Sequence, residues 1–119
     1  MDNKDFALQL KNRTLTFTIR IIHLPRKLPN TPEARVIRNQ ITRSGSSIGA
    51  NYREANRSRS KADFVHKIRI CESEASETQY WLKVIQEMKW LESKTIKSVD
   101  IECKELLALF TSISYKLKK

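Results

Sequence analysis

The stretch Arg43-Ser-Gly-Ser-Ser-Ile-Gly-Ala-Asn-Tyr-Arg-Glu-Ala55 decides how this chain packs. Its apolar residues recur with the period of an α-helix, and Gly45 and Gly49 stand four residues apart at one edge of that stripe. Glycine inside a helix costs about 1 kcal/mol relative to alanine, so the pair predicts a close crossing by another helix. A ligand groove is the alternative reading. A phosphate-binding loop is excluded, because its lysine followed by serine or threonine is missing.

Two polar residues of the same stretch, Ser44 and Asn51, fall on the apolar stripe. A buried polar side chain needs a hydrogen-bond partner, and we expect both to find one on a neighbouring helix. Arg43 and Glu54 lie on another flank, too far apart along the helix to pair with each other. They are therefore expected to pair with other helices or other subunits.

Working outward, apolar spacing predicts four helices, over residues 5–27, 32–56, 61–91 and from Ser98 onward. Pro25, Pro29 and Pro32 separate the first two. Ser60 and Asp63 resemble a capping box that opens the third. Long helices joined by short loops predict an all-α, up-down-up-down antiparallel four-helix bundle, one domain over residues 1–119.

Two of these helices have more apolar surface than one small bundle can bury. On the first helix, one face carries Phe6, Leu10, Phe17, Ile21, Leu24 and Leu28, and the nearly opposite face carries Leu8, Leu15, Ile19 and Ile22. On the third, one stripe is Phe64, Ile68, Cys71, Ala75, Thr78, Leu82 and Ile85, and the other is Ile70, Glu74, Glu77, Trp81, Val84, Met88 and Leu91. The second faces predict assembly into a homo-oligomer.

Composition restricts the function. Residues 1–60 hold 12 basic and 4 acidic side chains, a net charge of +8, whereas residues 61–119 hold 11 and 9, a net charge of +2. A field of that sign attracts polyanions. No apolar run is long enough to span a membrane, and the amino terminus lacks the pattern of a signal peptide. Cys71 and Cys103 are isolated in the sequence and are expected to be reduced core residues. Together these features predict a cytoplasmic protein.

The sequence offers no enzyme. His23 and His66 lie on different helices, and neither has a ligand-spaced partner. The carboxylates of the third helix lack the Glu-x-x-His pairs that a di-metal bundle requires, so no metal or other cofactor is predicted. Glu74 and Glu77 are instead expected to pair with Arg43 or with another arginine across an interface.

A basic face on the second helix is the candidate functional site. Its side chains lie away from the apolar stripe and continue past the end of the helix: Arg35, Arg38, Arg53, Arg57, Arg59 and Lys61. Such a row neutralises phosphates without reading bases. The nearest aromatic residue, Tyr52, is phased inward, so base stacking is not supported.

Three linked motifs point to a known family. The segments Arg43–Ala55, Ser60-Lys-Ala-Asp-Phe64 and Glu74-Ala-Ser-Glu-Thr-Gln-Tyr-Trp-Leu82 together resemble the bacterial four-helix-bundle proteins named for intervening sequences in 23S ribosomal RNA genes, also labelled S23 ribosomal proteins. The resemblance implies a bundle that assembles as a ring, typically a homopentamer, with no established biochemical activity. It assigns packing and assembly roles to Arg43, Ser47, Ile48, Asn51, Glu54, Glu77, Tyr80 and Trp81.

Two functions follow as hypotheses. The first is a non-enzymatic homo-oligomer that binds RNA or DNA through the arginines of the second helix. The second is an oligomeric scaffold or adaptor for a protein partner, in which the basic charge serves solubility. Neither includes a membrane partner.

Overall fold

The computed structural model describes residues 3–117, which form four α-helices and a short 3₁₀ helix, with no strand among them. The helices are α1 (Asn3–His23), α2 (Pro32–Ala55), α3 (Lys61–Met88) and α4 (Ser93–Leu117), and the 3₁₀ helix Leu24–Lys27 follows α1. Each helix packs against the next, and α4 returns to contact α1. The predicted all-α fold of four packed helices is confirmed. Residues 1, 2, 118 and 119 of the predicted domain lie outside the described residues.

Contacts between helices fix their relative directions. Between α1 and α2, Ile21 lies at Gly45 and Thr14 at Gly49, and between α2 and α3, Ser44 contacts Thr78 and Ile48 contacts Cys71. Between α3 and α4, Ala75 contacts Cys103 and Glu72 contacts Thr111, and between α1 and α4, Arg20 contacts Ser98 and Arg13 contacts Glu102. In each helix pair the residue numbers rise on one helix as they fall on the other. Neighbouring helices therefore run antiparallel. The contact between α1 and α4 is the least extensive of the four.

Local chemistry explains where α2 and α3 begin. The Thr31 side chain accepts a hydrogen bond from the Ala34 backbone N–H at 3.2 Å, and Pro32 occupies the first turn of α2, where no intrahelical donor is needed. The Ser60 hydroxyl accepts from the Asp63 N–H at 3.1 Å and caps α3, as predicted. Pro25 tightens the chain after α1 into a 3₁₀ turn.

The predicted start of α4 at Ser98 is wrong, because the helix begins at Ser93. Ile96 is almost fully buried, and its N–H bonds to the Glu92 carbonyl at 3.2 Å, so core packing extends the helix by more than a turn. α3 also ends three residues earlier than predicted. Lys89 reverses the chain there with a left-handed backbone, at φ 58°.

The predicted inward faces form the core. The largest fully buried side chains come from all four helices and include Phe17, Ile21, Ile41, Ile48, Ile68, Leu82, Leu106 and Phe110. Phe6, predicted to be inward, is an exception with 38% of its surface exposed. It lies near the start of α1 beside Leu109, at the end of the bundle where less of the structure covers it.

α2 meets its two neighbours in different ways. A Cβ atom at Gly45 would lie 2.6 Å from Ile21 Cγ2, so the glycine pair serves a close helix crossing, which confirms that prediction. On the other side, the buried Thr78 hydroxyl donates to Ser44 Oγ at 2.9 Å, so Ser44 has its expected partner on another helix. The expectation for Asn51 was wrong, because its amide donates to the carbonyl and hydroxyl of Ser47 within α2.

We expect Gly45→Ala to destabilise the protein although alanine favours helix. The added methyl group would overlap Ile21, a fully buried β-branched side chain, and overpacking of this kind costs about 1–3 kcal/mol, against about 1 kcal/mol gained in helix propensity. Urea unfolding measures the net loss. Gly49→Ala is the control, because its nearest contact would be 3.2 Å and its cost smaller. Equal stabilisation by both substitutions would contradict the close crossing.

Candidate nucleic-acid interface and assembly surfaces

Four cationic side chains gather where α2 turns into α3. Arg53, Arg57, Arg59 and Lys61 are all exposed, and within residues 3–117 none of them forms an ion pair. We call these four residues the turn cluster. The turn cluster therefore directs its cationic side chains to solvent, with the exposed carboxylates of Glu54 and Asp63 close to it in sequence but not ion-paired with it in the described residues.

The turn cluster stands on ordered backbone. The Arg57 N–H bonds to the Glu54 carbonyl at 3.0 Å, and the Ser58 N–H bonds to the Ala55 carbonyl at 3.1 Å. The Asn56 side chain donates to the Tyr52 carbonyl at 2.8 Å. Because the backbone of the turn is already hydrogen-bonded, mainly the cationic side chains would lose conformational freedom on contact with a polyanion.

The other two predicted arginines lie at the opposite end of α2. Arg35 and Arg53 are 18 residues apart, which in a helix is about 27 Å. Arg38 is half-buried and donates from Nε to the Pro25 carbonyl and from Nη2 to the Leu28 carbonyl, both at 3.2 Å. Arg38 therefore fastens the link between α1 and α2. The predicted basic row is divided into two groups, and only the turn cluster brings four of its residues together.

A second cluster lies on the flank between α2 and α3. The Arg43 guanidinium donates to Glu74 at 3.0 Å and to Glu77, and the Trp81 indole N–H donates to Glu77 at 3.0 Å. The pairing of Arg43 with Glu74 and Glu77, predicted from the sequence, is confirmed within a single chain. The indole bond is the main cause that lowers the pKa of Glu77, and Arg43 adds to it. The same carboxylates raise the pKa of Arg43.

The remaining residues of the family motif divide between core and surface. Ile48 is buried, whereas Ser47 and Asn51 are half-buried and bond to each other. Glu54 is exposed on the last turn of α2, and Tyr80 is 60% exposed, with its ring edge-on to Trp81 at 4.9 Å. An assembly role for these residues stays a prediction.

An apolar stripe covers the outer side of α1. Leu8, Leu15, Ile19 and Ile22 are 43–58% exposed, and the structure confirms that this predicted second face points away from the core. We call these four residues the α1 surface. Beside the α1 surface, between α1 and α4, lies a groove of about 350 Å³ that the sequence does not predict. Its lining includes apolar Ile19, Leu24 and Val99 and basic Arg20, His23 and Lys27. The groove arises where α1 and α4 pack least closely.

Other potentially reactive groups lie away from these surfaces. Cys71 and Cys103 are free and buried, and burial raises the pKa of each thiol to about 12, so neither is a ready nucleophile. Among residues 3–117, no group of three or more His, Cys, Asp or Glu side chains is arranged to hold a metal ion. None of the helices described is long and apolar enough to cross a membrane.

The fold and its surfaces define a class: a small four-helix protein with an uncompensated basic turn and an exposed apolar helix face. The chain belongs to the 23S rRNA-intervening sequence protein family, whose model matches residues 7–112. It is also similar to the crystal structure of a protein of unknown function from the S23 ribosomal protein family of Bacteroides thetaiotaomicron VPI-5482. The two are 38% identical over 88% of this chain and 97% of that one, with a TM-score of 0.82. No curated protein matches the chain.

We expect the contribution of Glu77 to stability to depend on pH. A carboxylate with a lowered pKa stabilises the fold above its unfolded value of about 4.3, and the contribution disappears as pH falls through the folded pKa. For partly exposed groups it should stay below about 1 kcal/mol. Urea unfolding of wild type and Glu77→Gln should therefore differ at pH 7, and the difference should disappear as the pH falls through the lowered pKa of Glu77. Glu87→Gln, in an exposed pair with Lys83, is the control. A difference independent of pH would contradict this assignment.

Proposed function

We propose that this protein is a non-enzymatic homo-oligomer that binds RNA through the turn cluster. One observation carries the proposal: four exposed cationic side chains share a hydrogen-bonded turn without an acidic partner in residues 3–117. Neutralising phosphates releases counterions and supplies sequence-independent affinity. The family name links its members to intervening sequences of 23S rRNA, which supports RNA as the polyanion.

The structure favours recognition of phosphates over recognition of bases. Tyr52, the aromatic residue closest in sequence to the cluster, is 3% exposed and packs edge-on against Phe110 at 5.6 Å. Its ring is unavailable for stacking with a base. Arginine and lysine contacts to phosphate position a nucleic acid without reading its sequence. We therefore expect affinity that depends strongly on salt and weakly on sequence.

The turn cluster can be tested with Arg57→Glu/Arg59→Glu, which lowers the net charge from +10 to +6. Filter binding of a labelled single-stranded RNA should show affinity reduced by about tenfold or more. Four phosphate contacts give the logarithm of the binding constant a slope of about −3 per protomer against the logarithm of the salt concentration, and the variant should have a shallower slope. Lys94→Glu/Lys97→Glu, at exposed positions near the start of α4, makes the same charge change and should have a smaller effect. Equal affinities for all three proteins would refute the proposal.

Single-stranded DNA of matched length and sequence serves as a second probe in the same assay, because it differs from the RNA in its sugar and base chemistry and not in strandedness. Preference for RNA supports the proposal as stated, and equal binding extends it to nucleic acids in general. Tighter binding of DNA than of RNA would contradict RNA as the ligand.

The proposed oligomer follows from the α1 surface. Four exposed aliphatic side chains on one helix face form a contiguous apolar patch, which on soluble proteins marks an interaction site. A second copy of the chain is the occupant we propose, and the resemblance to ring-forming proteins favours a homopentamer. The free buried thiols of Cys71 and Cys103 suit a reducing compartment, which supports a cytoplasmic location.

Ile19→Glu tests assembly through α1. It places a charge in the α1 surface at a half-exposed position, so folding should persist while association is lost. Light scattering after size exclusion should show the wild type as an oligomer and the variant at the chain mass of 13.9 kDa. Ile101→Glu, at a similarly exposed apolar position on α4, should keep the wild-type mass. A monomeric wild type, or an unchanged Ile19→Glu particle, would exclude this interface.

A scaffold for a protein partner is the alternative. A hollow of about 650 Å³ along α3 and α4, bordered by exposed Tyr80, offers a surface for one. Affinity capture after nuclease treatment separates the two functions. A protein retained after complete removal of nucleic acid would favour the scaffold.

A further inference from the structure

The groove between α1 and α4 combines positive charge with an aliphatic floor. Leu24 and Val99 are buried beneath it, and Arg20, His23 and Lys27 stand around it. Among the residues that the structure describes, no acidic side chain lines it. We call it the α1–α4 groove. Its volume of about 350 Å³ is within the range of sites for small molecules.

An ion pair further along the same two helices shows what the groove lacks. The Arg13 guanidinium donates to Glu102 at 2.6 Å and to Glu105 at 3.1 Å. Arg20 follows Arg13 by seven residues, or about two turns, and so lies on the same flank of α1. Its partner is instead the Ser98 hydroxyl, which accepts a hydrogen bond from Arg20 Nη2 at 2.8 Å. In the described part of the chain, no carboxylate pairs with Arg20.

The residue order of α4 explains the difference. Thr95 and Ser98 precede the two glutamates by seven residues each, and α4 runs antiparallel to α1. The two hydroxyl residues therefore occupy, opposite Arg20, the positions that the glutamates occupy opposite Arg13. A hydroxyl side chain is shorter than a glutamate side chain and carries no charge. The replacement leaves both an open space and a guanidinium without a counter-charge.

An alkyl carboxylate supplies what is missing. A carboxylate is the group that pairs with arginine at the level of Arg13, and the bond to Ser98 uses one of the N–H donors that Arg20 presents. Lys27 adds a positive charge at the rim. The apolar side chains of the lining are aliphatic, and an alkyl chain laid on them would be removed from water.

The α1–α4 groove is separate from the two surfaces described above. Arg38, which bonds to the link after α1, and Arg53 of the turn cluster are 15 residues apart on α2, or about 22 Å, so the groove and the turn cluster lie toward opposite ends of the bundle. Of the groove lining, only Ile19 belongs to the α1 surface. Arg20 lies about 140° round α1 from Leu15, so the groove opens on a different side of the helix.

We propose that the α1–α4 groove binds a free medium-chain alkyl carboxylate, such as a fatty acid. The carboxylate pairs with Arg20 beside Ser98, and the alkyl chain covers Leu24 and Val99. The site requires neither RNA nor a second copy of the chain, so it stands or falls independently of the function proposed above.

A titration with decanoate, kept below the concentration at which it forms micelles, tests the site. The methyl signals of Leu24 and Val99 in isotope-labelled protein should shift in NMR spectra, and the titration curve gives the affinity. Decanol has the same chain without the charge, and acetate has the same charge without the chain. Each should bind at least about tenfold more weakly than decanoate, because each lacks one of the two contributions.

Two variants remove the site in opposite ways. Arg20→Gln removes the cation, whereas Ser98→Glu supplies a carboxylate from the chain itself. Ser98 is exposed, so the larger side chain should leave the core undisturbed. Each variant should bind decanoate about tenfold more weakly or worse. Arg57→Glu/Arg59→Glu, which changes the charge of the turn cluster by more, is the control and should bind decanoate as the wild type does.

The other outcomes overturn the proposal. If decanoate leaves the methyl signals of Leu24 and Val99 unchanged, the groove does not bind it. If decanol binds as tightly as decanoate, or if Arg20→Gln and Ser98→Glu bind like the wild type, the guanidinium is not the partner of the carboxylate. Sedimentation with phosphatidylglycerol vesicles distinguishes a free ligand from a membrane lipid. Binding to the vesicles without binding of decanoate would assign the groove to a lipid headgroup instead.

Discussion

The structure depends on how closely α2 is held between α1 and α3. On one side, Gly45 leaves room for the buried Ile21 of α1, and a single methyl group there would overlap it. On the other side, Ser44 Oγ accepts a hydrogen bond from the Thr78 hydroxyl inside a largely apolar core. Because both contacts arise from adjacent residues of one helix, they fix the position and rotation of α2 together. The flank of α2 that faces solvent is thereby also fixed.

That rotation determines which charges are free. Arg43 faces α3, where it pairs with Glu74 and Glu77. Arg38 faces the link after α1, where it donates hydrogen bonds to two backbone carbonyls. Arg53 and Arg57 face solvent at the end of α2, and Arg59 and Lys61 are exposed in the turn into α3. The basic excess of the first half of the chain is therefore used in two ways: part of it holds helices together, and part of it remains available to a polyanion.

Most of the fold could be predicted from the sequence, because burial follows the periodicity of apolar residues. The seam from Ile68 to Ile85 on α3 and the outward position of Ile19 were both foreseen from spacing alone. The start of α4 was not, because Ser98 is a good capping residue locally while burial of Ile96 favours an earlier start. Tertiary packing outweighed the local capping preference there. Periodicity also predicts an inward Phe6, because it indicates which face of a helix is buried but not where the covering helices end.

The candidate site shows the same division. Residue order alone determined four amphipathic helices, a close crossing at the glycine pair, a surplus of apolar surface and an excess of positive charge, since each of these is a property of local spacing and composition. Only the three-dimensional arrangement decided which cations stay unpaired and that Asn51 is satisfied within its own helix. These features depend on the rotation and height of one helix against another, and those are set by side-chain packing between distant segments.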